Sequence, residues 1–458
     1  MRLIPLFLVS LAAGSALAAQ MAPDAADAAM LRRIYDAALA DSPLYDHLTE
    51  LVTRFPGRIA GSANHQGAVQ WAREVLQKQG VDRLELQPVM VPHWERGASE
   101  SVRFIGSDGK ATALSAFALG GSVPTPAGGL RAPVVELHSL EELKTTDVKG
   151  KIVFFNRPMD PRNVIPGTSY GGAGDQRNRG PAAAARYGAV GVLTRSLTHA
   201  INDVPHTGNT SYVDGVPRIP AAALSTVAAN RLSAALQADP ALSAELVINS
   251  RWFEPRLSHN VIGEIRGSEH PGQILVVGGH LDSWDVTPGA HDDGAGCVQA
   301  IEALRLLQAV GYQPRHTVRA VLFTSEENST NGAKEYARVA AEKREQHLLA
   351  YESDSGGFTP LRLQFGNTAG DAHVKAARWL PLFAPYHLTG IEQGSGGTDV
   401  EPLMALGCTV GEILPDSQRY FDYHHTTIDT MDKVNPRELQ LGAAAMAAVI
   451  YLFDRHGL

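Results

Sequence analysis

The sequence predicts an α/β fold: a mixed, mostly parallel central sheet flanked by helices, with a smaller β-rich α/β unit inserted into it. Three observations carry that reading. After Ser258, short apolar runs rich in β-branched residues, such as Ile274–Val277 and Thr317–Phe323, alternate with helical patterns. Strands buried on both faces of a parallel sheet look like this. Polar residues follow these runs directly, at His280, Glu326-Glu327 and Asp354, which puts them at the carboxyl edge of one sheet, where open α/β sheets place their ligands. Between about Ala118 and Ser250 the texture changes to frequent Gly and Pro with short strands, which marks the insertion.

Taken in order, residues 1–18 form a secretory signal: Arg2, an apolar stretch from Leu3 to Ala13, and small residues at Ala16-Leu17-Ala18 before the cut. Residues 21–30 are Ala- and Asp-rich and are expected to be a mobile leader. The first part of the main domain spans 30–117. It holds a helical pattern from Met30 to Leu51, a Gly-rich loop from Arg54 to Ser62, a helix Ala63–Gln79 stopped by Gly80, and a strand Leu84–Val91. The insert, 118–250, carries strand-like Lys149–Phe155, a helix-to-strand run from Gly180 to Thr194, and Val216–Leu224. It has no clustered His or Cys and reads as a module without chemistry of its own.

Residues 251–458 form the main part. Strands are expected at Asn260–Ile265, Ile274–Val277, Thr317–Phe323, Leu348–Tyr351 and Thr409–Leu414. Helices are expected at Ala295–Leu307, Gly332–Glu345, Asp371–Leu380 and Pro436–Asp454, the last with Pro in its first turn. The apolar run from Gly442 to Phe453 is too short to span a bilayer, so no membrane span is expected once the signal is removed.

Composition narrows the function. The 458 residues carry a net charge of −8 with no Lys/Arg cluster, which excludes nucleic acid as a partner. The only cysteines, Cys297 and Cys408, lie in apolar surroundings and read either as one disulfide or as two buried thiols. The loop Gly394–Gly397 is not a phosphate cradle, because no Lys-Ser/Thr follows it. The sequons at Asn209 and Asn328 read as chance matches, and a glycan on the second would block the edge where the acids cluster.

What remains is metal chemistry. Two histidines and three carboxylates, one of them bridging, make two nitrogen/oxygen sites for first-row divalent cations. Two zinc ions bring four positive charges; Asp292, Glu327 and Asp354 with a bridging hydroxide balance them. Such a site lowers the pKa of the bridging water and clamps a tetrahedral intermediate. It also needs a base beside the water, which Glu326 can supply while its neighbour Glu327 binds metal.

The segments GGHLDSWD, HDDGAG, SEEN, ESDSG and HHTTIDT, in this order and spacing, resemble the co-catalytic two-zinc exopeptidases, the family-28 metallopeptidases, and within them most closely the carboxypeptidase Q branch. The resemblance covers nearly all of the mature chain and implies a zinc aminopeptidase-like fold, with the insert similar to a protease-associated domain. It implies His280, Asp292, Glu327, Asp354 and His425 as metal ligands, Glu326 as general base, and Asp282 as the carboxylate that orients His280. His425 is chosen over His424 because Asp429 stands four residues after it. By the same implication one zinc takes His280, Asp292 and Glu327, and the other His425, Asp292 and Asp354. Asp399 matches an acidic loop position near the substrate. One departure stands out: many relatives have Tyr directly before the last His ligand, and here that place is His424, with Tyr423 one earlier. A protonated or N–H-donating His424 would take over that oxyanion role.

The expected function is therefore exported hydrolysis of terminal bonds in short peptides or dipeptides, in a periplasmic or secreted setting, by a chain that the resemblance makes a homodimer. The alternatives are a catalytically silent binding relative and a single-zinc acyltransferase of the glutaminyl-cyclase kind.

Overall fold

A computed structural model describes residues 24–458. The signal segment 1–18 lies outside the described residues. Helix Ala25–Ala40 opens the described chain, capped by the Asp24 carboxylate on the Ala26 N–H, so residues 25–30 of the stretch expected to be a mobile leader are helical. It is tied down by buried Asp27, which accepts from Tyr451 Oη and His456 Nε2 of the last helix, both at 2.8 Å. The single helical pattern expected over 30–51 is two helices, Ala25–Ala40 and Leu44–Arg54, because Pro43 cannot continue the first.

The central sheet has eight strands in the order Arg83–Glu95, Arg251–Ile265, His316–Phe323, His270–His280, Gln346–Glu352, Thr409–Pro415, Pro360–Gly366, Gly390–Gln393. The four strands from His316–Phe323 to Thr409–Pro415 are mutually parallel, with exposed positions only at the starts of His270–His280 and Gln346–Glu352. Antiparallel pairs flank them on both sides. Strands Pro360–Gly366 and Gly390–Gln393, the latter at the sheet edge, escape sequence reading because they are short and mix polar and apolar residues. Helices Ala295–Ala309 and Pro436–His456 pack on each other against one face of this sheet and are buried along most of their length. The latter starts at an Asn435 cap with Pro436 in its first turn.

A second eight-stranded sheet takes in Glu100–Ile105, Ala111–Leu114 and Ala116–Ala118 together with strands up to Ser243–Ile248. Its strand pairing thus begins at Glu100, inside the stretch assigned above to the first part of the main domain. The reason is non-local: Glu100–Ile105 pairs with Ser243–Ile248, at the far end of the insert. Both crossings between the units run through one antiparallel ribbon, Arg83–Glu95 with Arg251–Ile265. Cys297 and Cys408 are buried free thiols. Among the described residues, no helix is long and apolar enough to cross a membrane.

Candidate metal centre

Each acid and histidine singled out above is placed by a strand end or the loop that follows one. His280 closes its own strand and donates from Nδ1 to the Asp282 carbonyl at 3.0 Å, which leaves Nε2 facing the cavity. The strand His316–Phe323 ends in a turn where Ser325 adopts φ +68°, unusual for a non-glycine residue. This turn sends Glu326 and Glu327 in different directions. The Asp282 carboxylate caps it, accepting from the N–H of Glu326 at 3.1 Å and of Glu327 at 3.3 Å. Asp282 therefore orients His280 chiefly through its main chain, since its carboxylate lies 3.8 Å from His280 Nδ1 and is committed to the Glu326-Glu327 turn.

Asp292 is held by its backbone. Asp429 accepts from the N–H of His291 at 2.8 Å and of Asp292 at 3.1 Å, while Asp293 accepts from the N–H of His280 and of Gly296, each at 3.0 Å. Gly296 is required here: a Cβ on it would sit 1.8 Å from the Ser353 carbonyl, so only glycine lets the helix that follows Asp292 approach the strand ending before Asp354.

The result is two triads sharing one carboxylate. His280 Nε2 lies 3.3 Å from Asp292 Oδ1 and 3.3 Å from Asp354 Oδ1. His425 Nε2 lies 3.3 Å from Asp292 Oδ2 and 3.0 Å from Glu327 Oε2. The pairing expected from the sequence is thus exchanged: Asp354 belongs with His280, and Glu327 with His425. All five residues are brought together, and the donor set of imidazole Nε2 atoms and carboxylates suits divalent first-row cations. Asp292 Oδ2 and Glu327 Oε1 are buried without a hydrogen-bond partner, as ligand oxygens awaiting a cation would be.

Glu326 stands outside both triads and lines the cavity above them. Burial pushes its carboxyl up to about 7; His280 pulls against that, and Asp354 and Asp282 push further. A carboxyl near neutrality is suited to taking and returning a proton. Asp399 is buried with both carboxylate oxygens unpartnered, and its N–H and that of Val400 are held by Glu352 Oε2.

His424 stacks on His425 with ring centroids 3.5 Å apart, and its Nε2 is 3.6 Å from Asp292 Oδ2. Burial draws its pKa down to about 4, so the neutral ring, not the protonated one, occupies this position. Tyr423 turns away to stack on His291, whereas Tyr420 lines the cavity. Trp284 is a packing residue, buried against His425 and against Gly120 of the insert.

The insert is not chemically silent. Thr207 donates its N–H to the His425 carbonyl at 3.1 Å and accepts from His425 Nδ1 at 3.3 Å. His206, neutral because burial lowers its pKa to about 3, bonds the His424 carbonyl through Nδ1 at 2.9 Å. These contacts fix the His425 ring in a segment where its backbone is at φ +64°. Tyr170, Arg177 and Asn209 add a wall to a cavity of about 660 Å³, of the size that takes small ligands. Both sequon asparagines turn inward: Asn209 lines this cavity and the Asn328 side-chain nitrogen is buried. No sequence signal marks these contributions, because most act through main-chain carbonyls and the insert lacks any patterned cluster.

Similarity to known proteins agrees with this geometry. Residues 260–450 match the model of peptidase family M28. The chain is 33% identical to carboxypeptidase Q of Homo sapiens over 415 residues, covering 90% of this chain and 85% of the relative. It is 35% identical to carboxypeptidase Q of Xenopus laevis over 415 residues, covering 90% and 86%. Its fold superposes on a peptidase M28 precursor from Shewanella amazonensis with a TM-score of 0.89 at 33% identity, covering 94% and 98% of the two chains. A zinc aminopeptidase from Bacillus subtilis shares the fold with a TM-score of 0.65 at 21% identity, covering 89% and 94%. With the two triads at the carboxyl edge of its central sheet, the chain belongs to peptidase family M28.

Proposed function

We propose that the chain is an exported, zinc-dependent exopeptidase that removes a terminal residue from short peptides, dipeptides included. The observation that carries this reading is the pair of triads, His280–Asp292–Asp354 and His425–Asp292–Glu327, on the floor of a cavity that Glu326 overlooks. Two sites with one bridging carboxylate favour two ions per chain over the single zinc of an acyltransferase. Two zinc ions held there would acidify a shared water and polarise the scissile carbonyl.

The chain's own groups do the rest. Glu326 takes a proton from the water as its oxygen adds to the carbonyl carbon, then hands that proton to the amide nitrogen as the C–N bond breaks. One product leaves as a carboxylate and the other as an amine. Asp282 holds the Glu326-Glu327 turn, so the base and its neighbouring ligand keep fixed directions. Export rests on the leading residues 1–18.

Chelation is expected to lower peptide hydrolysis by at least about 10³-fold, with recovery complete only at two zinc equivalents per chain. Full activity in a metal-free preparation, or saturation at one equivalent, would overturn the two-metal reading. The insert's hold on the site has its own check. His206→Leu leaves all five ligand residues in place but unpairs the His424 carbonyl, and should weaken zinc retention by roughly 10- to 100-fold in a chelator competition. Retention equal to the parent would mean that His206 only fills space.

A further inference from the structure

We propose that Arg177 reads the free carboxylate of the leaving residue, so that the cavity takes substrates in which a single residue with a free C-terminus follows the scissile bond. This rests on the exopeptidase reading above.

The argument starts from charge. On the strand side of the cavity, Arg362 is already matched, with Nη1 3.0 Å from Glu392 Oε1. On the insert side the lining contains Thr168, Tyr170, Asn209 and Arg177 but no acid. Arg177 is only 7% exposed. Two other arginines of the insert, Arg157 and Arg179, both pair with Asp175. Arg177 has neutral acceptors instead: Nη2 donates to Tyr170 Oη at 2.6 Å and Nη1 to the Thr207 carbonyl at 3.5 Å, while Nε is buried without a partner. A buried guanidinium with only neutral acceptors is costly, and a carboxylate entering the cavity would match its planar fork of donors.

Position decides which carboxylate. The Thr207 carbonyl that accepts from Arg177 also accepts from Nδ1 of His425, so the guanidinium is one hydrogen-bonding link from a triad. The Tyr170 ring beneath the guanidinium meets the edge of His424 at 5.1 Å, and His424 stacks on His425. A peptide carbonyl held at the triads would extend toward Arg177 by about one residue, roughly 3.5 Å of chain, before its carboxylate arrives. Gly208 keeps the approach open, since a Cβ there would lie 2.6 Å from the guanidinium carbon.

The test compares a free dipeptide with its C-amide on zinc-loaded wild-type protein and on Arg177→Gln and Arg177→Lys. In the wild type, amidation should lower kcat/KM by about 30- to 100-fold, the range of a charged hydrogen-bonded pair. Arg177→Gln should bring the ratio of free to amidated substrate close to one with zinc content held at the wild-type level, and Arg177→Lys should restore part of it. Equal cleavage of free and amidated dipeptide by the wild type overturns the proposal whatever the variants do. A variant that loses both activities in parallel with its zinc also overturns it, since Arg177 would then only support Thr207 and His425. Silence of the loaded wild type on both substrates would sink the exopeptidase reading itself, and this proposal with it.

Discussion

Glu326→Gln will lower kcat by about 10³- to 10⁴-fold while the protein keeps its zinc. The side chain belongs to neither triad, so its amide has no ligand to remove, and it is close to isosteric with the carboxyl it replaces. The main chain at 326 stays anchored on Asp282, so the turn keeps its shape. What disappears is the ability to hold a proton between water and leaving nitrogen, for which burial has brought the Glu326 carboxyl to about 7. Glu327→Gln, one residue on, should behave differently: it weakens the oxygen donor 3.0 Å from His425, and activity should fall together with zinc content. The pair of variants thus separates base from ligand. A Glu326→Gln enzyme with more than about a tenth of the parent kcat, metal bound, would remove this residue from the proton path.

The centre was legible in the sequence where residues follow buried strands. Ile274–Val277 and Thr317–Phe323 announce parallel strands by composition, and the polar residues after them fall at one edge because parallel strands share a direction. Which acid serves which histidine was not legible. The His280 strand lies between the strands that lead to Glu327 and to Asp354, so sequence order offers both neighbours equally. The Nδ1 bond to the Asp282 carbonyl aims the ring at Asp354, and His425, arriving from a loop, takes Glu327. The insert's part in the site was hidden for another reason. Thr207 reaches His425 through its own main chain, and His206 reaches a main-chain carbonyl, contacts that leave no compositional trace. The pairing of Glu100–Ile105 with Ser243–Ile248 was hidden similarly, since the two strands lie at opposite ends of the insert.

Arg58 lies in a loop whose Gly-rich, polar sequence gave no hint of burial, yet its guanidinium is fully enclosed. It donates from Nε to the Leu281 carbonyl at 2.7 Å, from Nη1 to Pro288 at 2.6 Å and from Nη2 to Gly289 at 2.8 Å. Those acceptors punctuate the segment that joins His280 to Asp292, so one side chain sets the spacing between these two residues. Burial disfavours the charge, but Asp429, Asp282 and Asp293 lie near enough to stabilise it. All three hold the centre's backbone by accepting from its N–H groups. Arg58→Met keeps the length of the side chain and removes every donor. It leaves three buried carbonyls unpaired and removes the positive charge nearest these acids, a loss of about 3–5 kcal/mol at roughly 1–3 kcal/mol per unsatisfied group. The metal-free protein should therefore melt several degrees lower, and zinc should restore part of the difference, because ions bound at Asp292 favour the folded loop. Arg58→Lys, which keeps the charge but not the fork, should fall between the two. A methionine variant melting within about 2 °C of the parent would mean that the loop is shaped by its own turns and that the arginine merely occupies the space they leave.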